Sequence, residues 1–478
     1  MVKKVSMTRH IKFCAAGILM LFAALGATAQ GDNPAGKWKG SITSDGVKVE
    51  AKLNIKSQQG GTFAATLDLN VGGQPAYGIP ASECTYNAPT GELKVVFAAI
   101  GGLEVSGVQH GEELKGRIGG GGNYDSITLK RIEMPASVAA GTAYAIDSVT
   151  IKNGKVKLAA TATHPWEEGK YPALVLVSGS GPQDRDETIF NHKPFAAIAD
   201  YLTQQGIVVI RYDDRGVGAS TGDFASATTA DFASDAAAAV KYARGLRYVN
   251  KEKVGVLGHS EGGVIAMMLA ADGKKNAPNF IALMAAPGVP MKTILVRQNE
   301  ESMSMLLPEE WKGAFSALAA SFFDDYIKSM GDRAADSARI AQFMDAAFAM
   351  VKPEMAEALK GQGVTKEALI AQSVATMATP WFRYFLKLDP ADYLSRINCS
   401  VLVLQGGRDR QVLADENITA IRDGLSKAKN NRLMVKRYED LNHLFVPCRT
   451  GSVQEYPTIS APFSSLVLDD LAWWVNTR

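Results

Sequence analysis

Five stretches constrain this chain more than anything else in it: residues 173–177, 207–210, 254–257, 280–284 and 401–404 are apolar at every position. A strand with one solvated face alternates apolar and polar residues, whereas a strand apolar throughout needs cover on both faces. Intervening stretches such as 231–246 and 264–271 repeat their apolar residues with helical spacing. The pattern therefore predicts an α/β architecture, a mostly parallel sheet clothed by helices on both sides.

The alternation does not run the whole length of the chain. Residues 1–29 place Lys3, Lys4, Arg9 and Lys12 before an apolar run at 13–25 and close on Ala27-Thr28-Ala29. They read as a secretory signal peptide cut before Gln30, since the apolar run is shorter than the roughly 20 residues a span needs. That predicts export, to the periplasm or the exterior, and no membrane span afterwards. Residues 30–134 hold short alternating runs (47–55, 63–69, 93–97, 126–129) punctuated by glycine pairs, with no helical stretch, and predict a small all-β domain, sandwich or barrel. A small-residue linker near 135–141 leads into the first part of the α/β core, residues 135–290. From 291 to 388 the period turns wholly helical, which predicts a cap inserted over the sheet, and 389–478 returns to the core. The cap's Met303, Met305, Phe322, Phe323, Phe343, Met344 and Phe348 are expected to pack helix on helix.

Composition narrows the partners. Without residues 1–29 the chain has 47 Lys and Arg against 49 Asp and Glu, so it carries no basic footprint for nucleic acid or an anionic membrane. The remaining cysteines, Cys84, Cys399 and Cys448, lack the spacing of a metal site, and an oxidising compartment would permit a Cys399–Cys448 disulfide. Gly216-Val217-Gly218 follows a strand, but Thr221 stands where a dinucleotide fingerprint needs its third glycine, and no glycine loop carries a Walker lysine. Neither a metal nor a cofactor is expected.

Two G-x-S-x-G pentapeptides occur, 218–222 and 258–262. A nucleophilic serine of this type sits at a tight strand-to-helix turn. Only Ser260 has an apolar strand directly before it and an apolar helix directly after it, while Ser220 lies in a polar loop and is expected to be structural. A serine hydroxyl needs a base, and the base needs a carboxylate to hold its tautomer. In the α/β-hydrolase fold the order along the chain is serine, acid, histidine, and of the six histidines only His443 follows both Ser260 and a candidate acid. The acid should lie just past a late strand. Asp409 does, with Asp415 and Glu416 as alternatives inside the next predicted helix. The oxyanion donors are expected to be the N–H of Glu261, next to the nucleophile, and that of Ser180 in the 178–182 loop, with Gly181 one residue away. His259 is expected to pack inside the elbow. Trp381, at the break that Pro380 imposes between cap and core, is the candidate substrate-binding residue; the competing expectation is that it only staples the cap.

The strings at 178–187, 214–220, 258–263, 379–383 and 441–445 together resemble the secreted bacterial α/β-hydrolases of the EstD-like carboxylesterase group, whose relatives are labelled serine aminopeptidase or prolyl-oligopeptidase-like. The resemblance covers about 145–478. It implies ester hydrolysis by the same triad, a helical cap and an accessory N-terminal β domain. Ser178 departs from the histidine-glycine opening common to that loop. The expected substrate is a small ester or a short peptide. The rival readings are a serine peptidase, a thioesterase or acyltransferase with the same triad, and a non-catalytic envelope or carbohydrate-binding protein.

Overall fold

A computed structural model describes residues 34–478, apart from residue 35 and the stretches 45–46, 58–62, 72–73, 88–89, 111–112, 132–143, 191, 274–276 and 362–364. The signal-peptide and linker expectations lie outside the described residues. The chain divides into two compact units, one within Leu25–Val138 and one taking in Ala139–Pro457 and Ser464–Arg478.

The first unit is a single antiparallel sheet of β1 (Gly36–Ser44), β2 (Val47–Ser57), β3 (Phe63–Val71), β4 (Gln74–Pro80), β5 (Glu83–Asn87), β6 (Glu92–Phe97), β7 (Leu103–His110), β8 (Glu113–Gly120) and β9 (Asn123–Arg131). The order is β4-β3-β2-β1-β9-β8-β7-β6-β5. Alternation drives it: along β6, Leu93, Val95 and Phe97 are buried while Glu92 and Lys94 face water. Trp38, Leu53, Leu67, Val105, Leu114 and Leu129 complete that apolar face. A lone sheet can hide one face only by curling, and β3 comes against β5. Of the two expected shapes, this is the barrel-like one.

The second unit holds β10 (Tyr144–Asn153), β11 (Val156–Pro165), β12 (Tyr171–Val177), β13 (Val208–Tyr212), β14 (Val249–His259), β15 (Phe280–Met284), β16 (Ser400–Gly406) and β17 (Leu433–Tyr438). They form one sheet in the order β10-β11-β13-β12-β14-β15-β16-β17, parallel from β13 to β17. Each of the five apolar stretches falls on a strand from β12 to β16. Between them come α1 (Pro194–Gln204), α2 (Thr229–Gly245) and α3 (Glu261–Asp272). On β12, Ala173, Val175 and Val177 join a core with Ala236 and Val240 of α2 and Ile265 of α3. Leu174 and Leu176 point the other way and are equally buried. On that second face lies α12 (Ser465–Asn476), whose Trp474 meets Phe280 edge-on at 5.5 Å.

The cap is α4 (Met291–Met303), α5 (Lys312–Ser329), α6 (Arg333–Ala349), α7 (Pro353–Gly361), α8 (Lys366–Met377) and α9 (Pro380–Phe385), followed by α10 (Ala391–Leu394) and α11 (Ala414–Lys427). Met303, Phe322, Phe323, Phe343 and Met344 form its interior, as expected, whereas Met305 is exposed. Val264 of α3 joins the same cluster and ties the cap to the helix that follows Ser260. Among the described residues no helix is long and apolar enough to cross a membrane. Cys399 and Cys448 are both free thiols, so the disulfide that an oxidising compartment would permit is not present. The reason is topological: Cys399 precedes β16 and Cys448 lies beyond its far end, where its carbonyl accepts from Arg408. A seven-residue strand keeps them about 20 Å apart, far outside disulfide reach.

Candidate active site

The predicted residues lie at the carboxyl ends of parallel strands, Ser260 after β14, Asp409 after β16 and His443 after β17. β14 ends on His259 and α3 begins on Glu261, so Ser260 is the whole turn, with φ 52° and ψ −120°. A non-glycine residue there is strained by about 1–3 kcal/mol, and its neighbours must make room. A Cβ on Gly258 would come within 1.9 Å of the Gly262 carbonyl oxygen, and one on Gly262 within 2.2 Å of that of Val177. Ser260 remains partly accessible. Ser220 is buried instead, its Oγ donating to the Asp213 carbonyl at 2.7 Å and accepting from Ala159 N–H at 2.8 Å, the structural role expected of it.

Asp409 follows β16 and His443 follows β17. His443 Nδ1 donates to Asp409 Oδ2 at 2.8 Å, which leaves Nε2 as the imidazole's lone-pair nitrogen. The other acceptor positions of Asp409 are filled: Oδ1 accepts from Gln411 and Val412 N–H, and Oδ2 also accepts from Gln405 Nε2. Such a carboxylate cannot swing away from its histidine. Asn442 does the same for the histidine's loop, its Oδ1 accepting from Leu444 and Val446 N–H. The alternative acids lie elsewhere: Asp415 pairs with Arg437 on the surface and Glu416 with Arg297.

Three consecutive residues after β12 are each held by a different buried carboxylate. Ser178 Oγ donates to Asp214 Oδ1 at 3.1 Å, Gly179 N–H to Glu187 Oε1 at 2.7 Å, and Ser180 Oγ to Glu261 Oε2 at 2.7 Å. With the Gly179 N–H committed to Glu187, that of Ser180 is the next donor along the loop, and its side chain is tied to Glu261, the other expected donor. Glu261 is 2% exposed and also accepts from Thr229 Oγ1 and Trp381 Nε1. Burial raises its pKa, and those three donors pull against the rise. Burial likewise pushes Asp214 up to about 8, with Glu187 and Glu261 adding their charges to the effect.

Thr379 caps α9 in extended geometry and Pro380 opens that helix, as the proline implies. Trp381 thus reaches Glu261 while its ring lies 5.0 Å from Phe385: it is fastened at both ends, to the site and to the cap. His259 needs a larger correction. It is not mere packing, for Nδ1 meets Glu187 Oε1 at 2.8 Å and Nε2 meets the His443 carbonyl at 3.0 Å. Sequence reasoning missed Glu187 and Asp214 altogether. Both lie within the strings that carry the resemblance, but no spacing rule marks a carboxylate that acts through loop N–H groups.

A strained serine between the carboxyl end of a central parallel strand and a helix, with a hydrogen-bonded histidine–aspartate pair in the loops after the last two strands, marks a hydrolase of the α/β-hydrolase superfamily. The chain belongs to the X-Pro dipeptidyl-peptidase (S15) family, whose profile matches residues 153–439. The matched span takes in Ser260 and Asp409 and stops four residues short of His443. Esterase EstD of Thermotoga maritima is 26% identical over 316 residues, 66% of this chain and 64% of that protein, so the chain spans just under two thirds of that relative's length. Among solved structures, an esterase of Pyrococcus furiosus is 15% identical with a TM-score of 0.42, covering 72% of this chain and 96% of its own. A proline iminopeptidase of Mycobacterium smegmatis is 17% identical with a TM-score of 0.42, at 69% and 98%.

Proposed function

We propose that this protein cleaves carboxylic esters through an acyl-enzyme on Ser260. In this reading His443 Nε2 takes the serine proton, Asp409 holds the imidazole in that tautomer, and the N–H groups of Ser180 and Glu261 receive the oxyanion. The observation that carries it is the His443–Asp409 hydrogen bond at 2.8 Å, from loops that follow adjacent strands of the sheet whose fifth strand ends at the Ser260 elbow.

The main rival is an exopeptidase with the same chemistry, which needs a carboxylate free to hold a substrate's amino terminus. The candidates for that task are occupied: Glu261 accepts from three side chains, Asp324 pairs with Lys292 and Asp325 with Lys328. The name of the S15 family keeps the peptidase reading in play, and the esterase relative favours the ester. A small ester is the proposed partner, and the leader-like composition of residues 1–29 supports a working place outside the cytoplasm.

The test is fluorophosphonate labelling, followed by turnover of esters of graded chain length beside aminoacyl arylamides. Ser260→Ala should abolish labelling and Ser220→Ala should retain it. Labelling that survives loss of Ser260 ends the proposal, and arylamides turned over faster than every ester replace it with the peptidase.

A further inference from the structure

We infer that the buried pair Glu187 and His259 is a positioning device that holds the oxyanion loop and the His443 loop in register with Ser260. The inference rests on the ester-hydrolysis reading of that site.

The two side chains join three segments that are far apart in the chain. Glu187 lies in the connection between β12 and α1, fully buried and at φ 52°. Its Oε1 accepts from Gly179 N–H at 2.7 Å and meets His259 Nδ1 at 2.8 Å. His259, the last residue of β14, continues the chain of contacts through Nε2 to the carbonyl of His443 at 3.0 Å, and the two imidazoles lie 4.7 Å apart. The residue before the nucleophile thus grips the backbone of the base, and its partner grips the loop that would receive the oxyanion.

The protons in this chain are fixed by its ends. A carbonyl accepts only, so Nε2 of His259 must carry a proton. The Nδ1 contact to Glu187 at 2.8 Å needs another, on one atom or the other, because a bare ring nitrogen and a carboxylate oxygen would otherwise set lone pair against lone pair. Imidazole and carboxyl together therefore hold two protons. Burial works against a charged His259, but the charge and hydrogen bond of Glu187 and the His443 carbonyl outweigh it, and the pKa is raised. Other groups face the pair: Asp409 adds its charge to His259, the His443 ring lies beside it, and Asp214 shares the field of Glu187. If the shared proton leaves, a lone pair must point either at the carboxylate or at the carbonyl, and one of the two grips is lost. Turnover should then fall on the alkaline side while substrate affinity stays.

His259→Gln tests this, since an amide keeps one donor but does not titrate. We expect kcat to drop roughly ten- to a hundredfold, less than the about 10²–10³ of an outright lost oxyanion donor, with KM within about twofold. The alkaline limb of kcat should disappear; a limb belonging to Asp214 would persist. A His259→Gln enzyme with kcat within twofold of wild type, or with an unchanged alkaline limb, overturns the inference. Should that variant not fold, Glu187→Gln replaces it with the same split between kcat and KM expected. Failure of both to fold would assign the pair to stability alone and overturn it too. Wild-type Ser260 that does not react with a fluorophosphonate would take down the reading of the site and this inference with it. Normal wild-type labelling with an unaltered His259→Gln takes down this inference alone.

Discussion

Asp214 carries a burial cost that its hydrogen bonds do not cancel. Its oxygens accept from Ser178 Oγ and Gln183 N–H, yet burial still pushes it up to about 8. An acid raised on folding stabilises the native state fully at pH values below its unfolded pKa, and that contribution is lost as pH rises through the folded value. Stability should therefore decline from about pH 4 to pH 8 on this group's account, at about 1.4 kcal/mol per pH unit for one proton. Asp214→Asn, whose amide can meet both partners once the Ser178 hydroxyl turns round, should flatten denaturation midpoints measured across that range. Asp409 plays the opposite part: it is four times hydrogen-bonded, and the proposed mechanism asks it to hold the tautomer of His443. Asp409→Asn should cost about 10⁴ in kcat with little change in the folded state, read by steady-state kinetics beside circular dichroism. A fall of less than tenfold would transfer the acid's role elsewhere.

Among the elements, α9 does the most with the fewest residues. Its Trp381 donates to Glu261 at 3.0 Å, Arg383 reaches Asp336 of α6 at 3.0 Å, and Phe382 and Phe385 are buried in the cap's interior. One six-residue helix thereby connects the cap to the residue after Ser260. Trp381→Phe keeps most of the ring and removes only the donor, leaving a buried carboxyl one bond short. We expect about 1–3 kcal/mol of lost stability, together with reduced kcat/KM as Glu261 shifts, measured by urea denaturation and ester turnover. Unchanged stability would mean that Ser180 and Thr229 suffice. The break at Pro380 was legible from the proline, and the elbow from two glycines flanking a serine between a strand and a helix. The destination of the indole N–H was not, because it depends on where a carboxylate 120 positions earlier in the chain comes to rest.

At the scale of the whole molecule, the central strands announced themselves because burial on both faces leaves no polar position in them. The edges did not. β17 is half-exposed and mixed in composition, β10 and β11 form an antiparallel hairpin at the other margin, and neither has the unbroken apolar run that burial imposes. The site followed the same division: the Ser260, Asp409 and His443 expectations rest on chain order, whereas Glu187, Asp214 and the task of His259 arise only when separate loops converge. Every residue proposed for catalysis belongs to the α/β unit. A protein beginning near Ala136 should therefore still label at Ser260 and retain ester turnover if it remains soluble; a folded truncation that does not label would show that the β unit helps build the site. The β unit has a consequence of its own for how the chain is made. Its first strand pairs with its last, Trp38 opposite Arg131, while the two outermost strands are neighbours in sequence. During vector-wise synthesis β2, β3 and β4 can zip onto β1 as they emerge, but the other side of β1 must wait, unpaired, until β9 has left the ribosome. The unit's slowest step is thus its longest loop closure, and until then β1 is an open edge on which another chain could add.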